Sequence, residues 1–178
     1  MGNDIFINTR NASYTITADV DVSANGNGVI VCQGGRFGGL SFYVKGGKPA
    51  FTYNYLGLQS YNIVSANALS PGKHTIVYDF KYDGGGAGKG GVGIITVDGA
   101  KAGEGRIDKT QRSIFSVDDL ADVGTDDGTP VTNYGASAHF SGKVDKVKIE
   151  THPSSIALNK ADQEKASDLA KAEKLARD

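Results

Sequence analysis

The chain has 178 residues, 25 of them Gly and 4 Pro, with 39% apolar residues, a composition that suits one globular domain rather than two domains or a disordered chain. Lys and Arg number 19 against 20 Asp and Glu, a formal charge of −1, and no basic stripe of the kind nucleic acid requires runs along the sequence. Cys32 is the only cysteine, so an internal disulfide and a multi-cysteine metal centre are excluded, while the redox compartment stays open.

Positions 13–22 alternate strictly, with Tyr14, Ile16, Ala18, Val20 and Val22 on one side and Thr15, Thr17, Asp19 and Asp21 on the other. That period of two predicts a half-buried strand. Further strands are expected over 29–33, 40–45, 49–55, 59–64, 74–82, 92–98, 101–106 and 143–150. They are punctuated by Asn25-Gly26-Asn27-Gly28, Gly46-Gly47, Pro71-Gly72 and Asp98-Gly99, pairs whose backbone preferences make turns. Short strands at this spacing read as an all-β sandwich. In the strand at 74–82, Ile76, Tyr78, Phe80 and Tyr82 share a face, so these tyrosines are expected in the core. The apolar phase changes between Phe140 and Ile149, and a bulge near Asp145 and Lys146 would account for it.

After Glu150 the composition shifts. Residues 151–158 read as a linker. Asn159 is placed to cap an α-helical tail over 159–178, rich in Ala, Lys, Glu and Asp, with Leu169, Ala172 and Ala176 on one stripe and Glu173 four residues before Arg177. The longest apolar run, Val29 to Cys32, is far short of a bilayer span, and Met1-Gly2-Asn3-Asp4 lacks the regions of a signal peptide.

No constellation of catalytic residues emerges. A glycosidase on a sandwich needs two facing carboxylates, and Glu104 and Glu150 are the only glutamates in residues 1–150. The run Asp83 to Gly91 mimics a phosphate loop, but Asp83 replaces its first glycine and Gly90 its metal-binding hydroxyl, so a hairpin loop is expected. His74, His139 and His152 are not at metal-ligand spacing. The acidic stretch with Asp118, Asp119, Asp122, Asp126 and Asp127 reads as a solvated loop, with a calcium site on Asp122, Asp126 and Asp127 as the other reading. Tyr53, Tyr55 and Tyr61, near Arg36, Gln33 and Asn54 in sequence, hold the ingredients of a sugar platform. Tyr53 and Tyr55 share parity with Phe51, so core and ligand roles both stay open.

From Gly28 to Asn54 the run GVIVCQGGRFGGLSFYVKGGKPAFTYN resembles the C-terminal domain of large bacterial arylsulfatases. The resemblance continues through Asp79 to Gly86, Val97-Asp98-Gly99, Gly105-Arg106-Ile107 and Asp122 to Val131, and closes at Phe140 to Val147, which is also similar to the last strand of laminin-G-like jelly rolls. It implies an all-β, two-sheet antiparallel jelly-roll sandwich of the concanavalin type over residues 4–150, followed by the linker and the helical tail. Leu40 departs from the Trp common in that family. Cys32-Gln33-Gly34-Gly35-Arg36 matches the spacing of the sulfatase motif but has Gly at its third place, so no catalytic residue is assigned.

The resemblance implies a non-catalytic accessory domain, structural or docking, with a sulfatase catalytic domain or its own copy as partner, in the periplasm or secreted. Its alternative is a carbohydrate-binding module for extracellular, sulfated glycans, with Arg36, Asn54, Tyr55 and Tyr61 at the site.

Overall fold

Alternation over Ser13–Val22 makes strand β1, in which the five apolar residues are buried and the Thr and Asp between them are half-exposed. The computed structural model describes residues 8–112, 120–135 and 137–152; the expected helical tail and Asp118 and Asp119 lie outside them. Nine further strands follow: β2 (Gly28–Gly35), β3 (Gly38–Lys45), β4 (Lys48–Tyr55), β5 (Gln59–Val64), β6 (Gly72–Tyr82), β7 (Gly91–Val97), β8 (Ala100–Ile107), β9 (Ala121–Val123) and β10 (Lys143–His152). β10 runs on through Thr151 and His152, two residues that the sequence reading gives to a linker, because they pair with Tyr14 and Ser13.

The strands form two antiparallel five-stranded sheets, β10-β1-β6-β7-β8 and β5-β4-β3-β2-β9. This is the all-β sandwich expected from the sequence. Its core lies between the sheets, where Tyr14, Ile16, Ile76, Tyr78 and Phe80 meet Phe42, Phe51, Leu40 and Ile63. The Phe51 and Tyr78 rings stack across the gap, 3.6 Å between centroids and 7° from parallel. Burying each such side chain is worth about 1.5–3 kcal/mol.

Two glycines make room for this packing. Gly93 of β7 lies opposite Gly105 of β8, and a Cβ at either would lie 2.6 or 2.7 Å from the Ile63 side chain of the other sheet. The missing side chains form the hollow that Ile63 fills.

Bulges set the phase of two strands. In β10 the pairing with β1 passes from Lys146 to Val144, leaving Asp145 unpaired, which shifts the apolar parity at the place the sequence indicated. In β2 the register shift between Val29 and Val31 lets consecutive Ile30 and Val31 enter the main core, while Val29 and Cys32 face the opposite side.

His74 at the start of β6 lies 2.7 Å from Asp98 in the β7–β8 turn. Burial pulls the His74 pKa down, but the Asp98 hydrogen bond, the Ser70 carbonyl and the Asp98 charge together outweigh it and raise the value. The hydrogen bonds from His74 and from the Thr75 N–H lower that of Asp98. A raised His contributes stability that is complete below its unfolded pKa and is lost as pH rises through the folded one. A lowered Asp contributes above its unfolded pKa and loses that as pH falls through the folded one. The pair is therefore worth most between about pH 4 and 6.5. The Tm gap between the wild type and Asp98→Asn should peak in that window and narrow as pH rises through the raised His74 value; a gap flat with pH would contradict the coupling.

Candidate functional site

The outer face of the second sheet is covered by an irregular strap, described over residues 124–135 and 137–140. Its backbone is tied at both ends: Gly124 N donates to Ile30 O, Val29 N to Ala138 O, and Ser141 N to Asn27 O. Three of its side chains face the sheet. Val131, Tyr134 and Ala138 pack on Val29, Cys32, Tyr43 and Ala50, a second small core distinct from the main one. The Tyr43 and Tyr134 rings meet edge-on at 5.2 Å. β2 is consequently buried along its whole length on both faces.

Asp126 fastens the strap from within. Its Oδ2 accepts the Tyr134 hydroxyl at 2.5 Å and the Val131 N–H at 3.1 Å, and the Tyr134 oxygen lies 3.1 Å from Ser41 Oγ. Burial, followed by the Asp126 hydrogen bond, pushes the Tyr134 phenol far up, so it stays a proton donor at any working pH.

Asn54, at the end of β4, is the second fastening. Its amide nitrogen lies 3.1–3.2 Å from the carbonyls of Gly35, Arg36 and Val131, and its Oδ1 accepts the Gly57 N–H. One buried side chain thus joins the β2–β3 turn, the β4–β5 turn and the strap. The Thr129 hydroxyl adds an acceptor for the Arg36 N–H at 3.3 Å.

Between these fastenings opens a cleft of about 680 Å³, lined by Arg36, Asn54, Asp126 and strap residues that include Thr129, Thr132, Asn133 and Ser137. Its chemistry is that of a guanidinium, hydroxyls and amides around a mixed polar and apolar floor. Arg36 is exposed, with its guanidinium 5.4 Å from the Phe37 ring centre.

Of the residues that the sequence nominates for a sugar site, the structure brings Arg36 and Asn54 to this cleft. It places Tyr55 and Tyr61 elsewhere, on the inner face: Tyr61 is 8% exposed, and Tyr55 packs partly buried against the main core. The reason is parity, since Phe51, Tyr53 and Tyr55 alternate inward on β4 while Tyr61 pairs with Tyr53 and points the same way. The strap residues were missed, because a turn-rich stretch carries no period. The signal that could have found them is Val131, Tyr134 and Ala138, apolar residues in an otherwise polar run.

The acidic stretch also holds a strand, β9, paired with β2 through Asp122 and Cys32. Oxygens of Asp122 and Asp126 and the Cys32 sulfur lie within 4.8 Å of one another. Asp127 turns away, its carboxylate accepting the Thr125 hydroxyl at 2.7 Å. Calcium takes six to eight oxygen ligands, and this set offers a thiol, the Asp122 carboxylate and an Asp126 carboxylate whose Oδ2 already accepts two hydrogen bonds, a poor match to that ion. The aspartates act here as turn and strap anchors.

No family model and no curated protein matches the chain. Solved structures do. The CBM40 of the Ruminococcus gnavus IT-sialidase aligns at TM-score 0.57 and 12% identity, over 83% of this chain and 80% of that one. Domains LG4-5 of the mouse laminin alpha1 chain align at 0.56 and 15%, over 84% of this chain and 38% of theirs. The LG1-3 region of the laminin alpha2 chain aligns at 0.59 and 13%, over 83% and 30%. The chain thus spans less than half of either laminin fragment. At such identities the likeness shows the fold alone: the chain is a jelly-roll β-sandwich of the concanavalin-like kind.

Proposed function

We propose that the chain is a non-catalytic binding domain whose ligand is an extracellular glycan, held in the cleft between the β2–β3 turn and the strap. The observation that carries this reading is the lining of that cleft. Its size suits a small-molecule site, and its Thr and Ser hydroxyls, the Asn133 amide and the Arg36 guanidinium are groups that hydrogen-bond sugar hydroxyls and, through Arg36, an anionic substituent. Asp126 is the one carboxylate among the lining residues and is tied to Tyr134 and Val131, whereas glycoside hydrolysis needs a pair. The alignment with a carbohydrate-binding sandwich over most of both chains adds support.

The test is a thermal-shift screen against neutral and sulfated polysaccharides, with calcium and with chelator. Ligand at about 100 times Kd adds about 2.7 kcal/mol, a rise of roughly 5 °C or more for a domain of this size. The rise should be selective for sulfated glycans and indifferent to chelator. Arg36→Ala should weaken binding about tenfold, equivalent to about 1.4 kcal/mol, and leave the ligand-free Tm unchanged because the side chain is exposed. No rise across the panel would overturn the reading.

A second reading, docking on a sulfatase catalytic domain or on the chain's own copy, is favoured by the arylsulfatase-like run from Gly28 to Asn54. A dimer in light scattering that glycans do not alter would select it.

A further inference from the structure

Of the six large apolar side chains exposed among the described residues, four lie at one end of the sandwich: Phe37, Leu56, Leu58 and Leu120, at 59%, 42%, 82% and 52% exposure. Leu120 belongs there because its carbonyl accepts the Gly34 N–H. The β2–β3 and β4–β5 turns touch: a Cβ on Gly57 would lie 2.8 Å from Arg36 O and 3.6 Å from Phe37 Cα.

The β4–β5 turn is built at a cost. Leu58 N donates to Tyr55 O at 3.0 Å, and the two central residues, Leu56 and Gly57, have φ of 59° and 69°. Such turns favour Asn, Asp or Gly at both centres, since the left-handed region crowds a side chain. At position 56 the turn instead carries a leucine in strained backbone with its side chain in water, which folding does not require.

Among the described residues the same end is basic. Segments 8–12, 83–90 and 108–112 gather at it: Asn11 Nδ2 donates to Arg112 O, Gly88 N to Asn11 Oδ1, Thr110 Oγ1 to Lys89 O, and Gln111 N to the Tyr53 hydroxyl at the end of β4. They bring Arg10, Lys89, Lys109 and Arg112 to the same end as Arg36. Asp83 and Asp108 at this end are both engaged by Arg106. None of the other five cations takes part in a salt bridge among the described residues.

We propose that this end of the sandwich docks on an anionic lipid bilayer, with Phe37, Leu56, Leu58 and Leu120 entering the interface and the surrounding cations meeting headgroup phosphates. The charge selects the occupant. Two copies meeting through this end would set the cations of one against those of the other, in the self-complementary contact that a two-fold dimer requires. A sulfated glycan supplies anions but no apolar layer. A bilayer with anionic headgroups supplies both, and separate apolar loop tips under a basic collar match its layered polarity. This inference stands apart from the glycan cleft, and because Arg36 serves both, the test leaves it unchanged.

The full chain is sedimented with vesicles of equimolar phosphatidylcholine and phosphatidylglycerol, and with vesicles of phosphatidylcholine alone. It should pellet with the first, release as salt rises, and stay in solution with the second. Phe37→Ser combined with Leu58→Ser should weaken binding about tenfold or more while the Tm stays within a few degrees, since both side chains are exposed. The chain has no Trp, so Leu58→Trp gives a single reporter. Its emission should shift to the blue on the anionic vesicles, and that of Val64→Trp, at the far end of β5, should not. No pelleting with the anionic vesicles, pelleting that the double variant retains, or an unshifted Leu58→Trp emission would each overturn the proposal. So would a dimer that the double variant dissolves, which would assign this end to a second copy.

Discussion

Replacing Phe51 by Ala is expected to lower the unfolding free energy by about 3–5 kcal/mol and the Tm by roughly 10 °C or more, measured by urea and thermal denaturation. Phe51 is fully buried, and its ring covers that of Tyr78 from the opposite sheet. Truncation removes the transfer term of the ring and leaves a cavity that the surroundings cannot close. Gly93 and Gly105 already leave the facing strands without side chains at this level, and Ile63 already occupies their hollow. Phe51→Leu should recover more than half of the loss, because it refills most of the volume. A Phe51→Ala variant as stable as the wild type would mean that the two sheets do not share one packed core.

The second large effect is expected at Asp126. Asp126→Ala leaves the Val131 N–H without its acceptor and the Tyr134 hydroxyl with only the 3.1 Å contact to Ser41 Oγ, and an unmet buried donor costs about 1–3 kcal/mol. The expected loss is about 2–4 kcal/mol, with Asp126→Asn milder because its amide oxygen can still accept one bond. The loss should be local in character. Cys32, the only cysteine and 1% exposed, lies under the strap, so its thiol should react with a disulfide reagent much faster in the Ala variant than in the wild type. A thiol equally protected in both would show that the strap is held by its apolar residues alone.

These two positions also show what the sequence could and could not reveal. Phe51 belongs to a regular strand, where alternation exposes the buried face, and the same logic fixed the limits of β1 and β5 and the bulge at Asp145. A strand read this way needs no knowledge of its neighbours, since period two follows from the backbone itself. Asp126 belongs to a segment whose conformation depends on partners distant in sequence, Ser41 and Cys32 on one side and Asn54 on the other. Asp, Gly, Thr and Pro at 126–130 announce turns, but not which surface the turns will cover. The candidate site suffers from the same limit. Arg36 falls between the strands expected over 29–33 and 40–45 and so reaches the cleft, whereas Tyr55 and Tyr61 share the parity of residues that the core claims. Asn54 carried the right chemistry for a ligand, yet the fold uses all of it internally. Side-chain chemistry alone does not separate a binding amide from one that joins three loops.

The strap divides its labour along its own length. Val131, Tyr134 and Ala138 hold it to the sheet by packing, and the Thr129 hydroxyl fastens it to the Arg36 N–H. Thr132, Asn133 and Ser137 line the cleft, and the last two bond through their side chains to the strap's own backbone. Mutational drift at these three positions leaves the fastenings to the sheet in place, so recognition can diversify among descendants of this chain at nearly constant stability, and a library confined to them would sample new specificities at little cost to the scaffold.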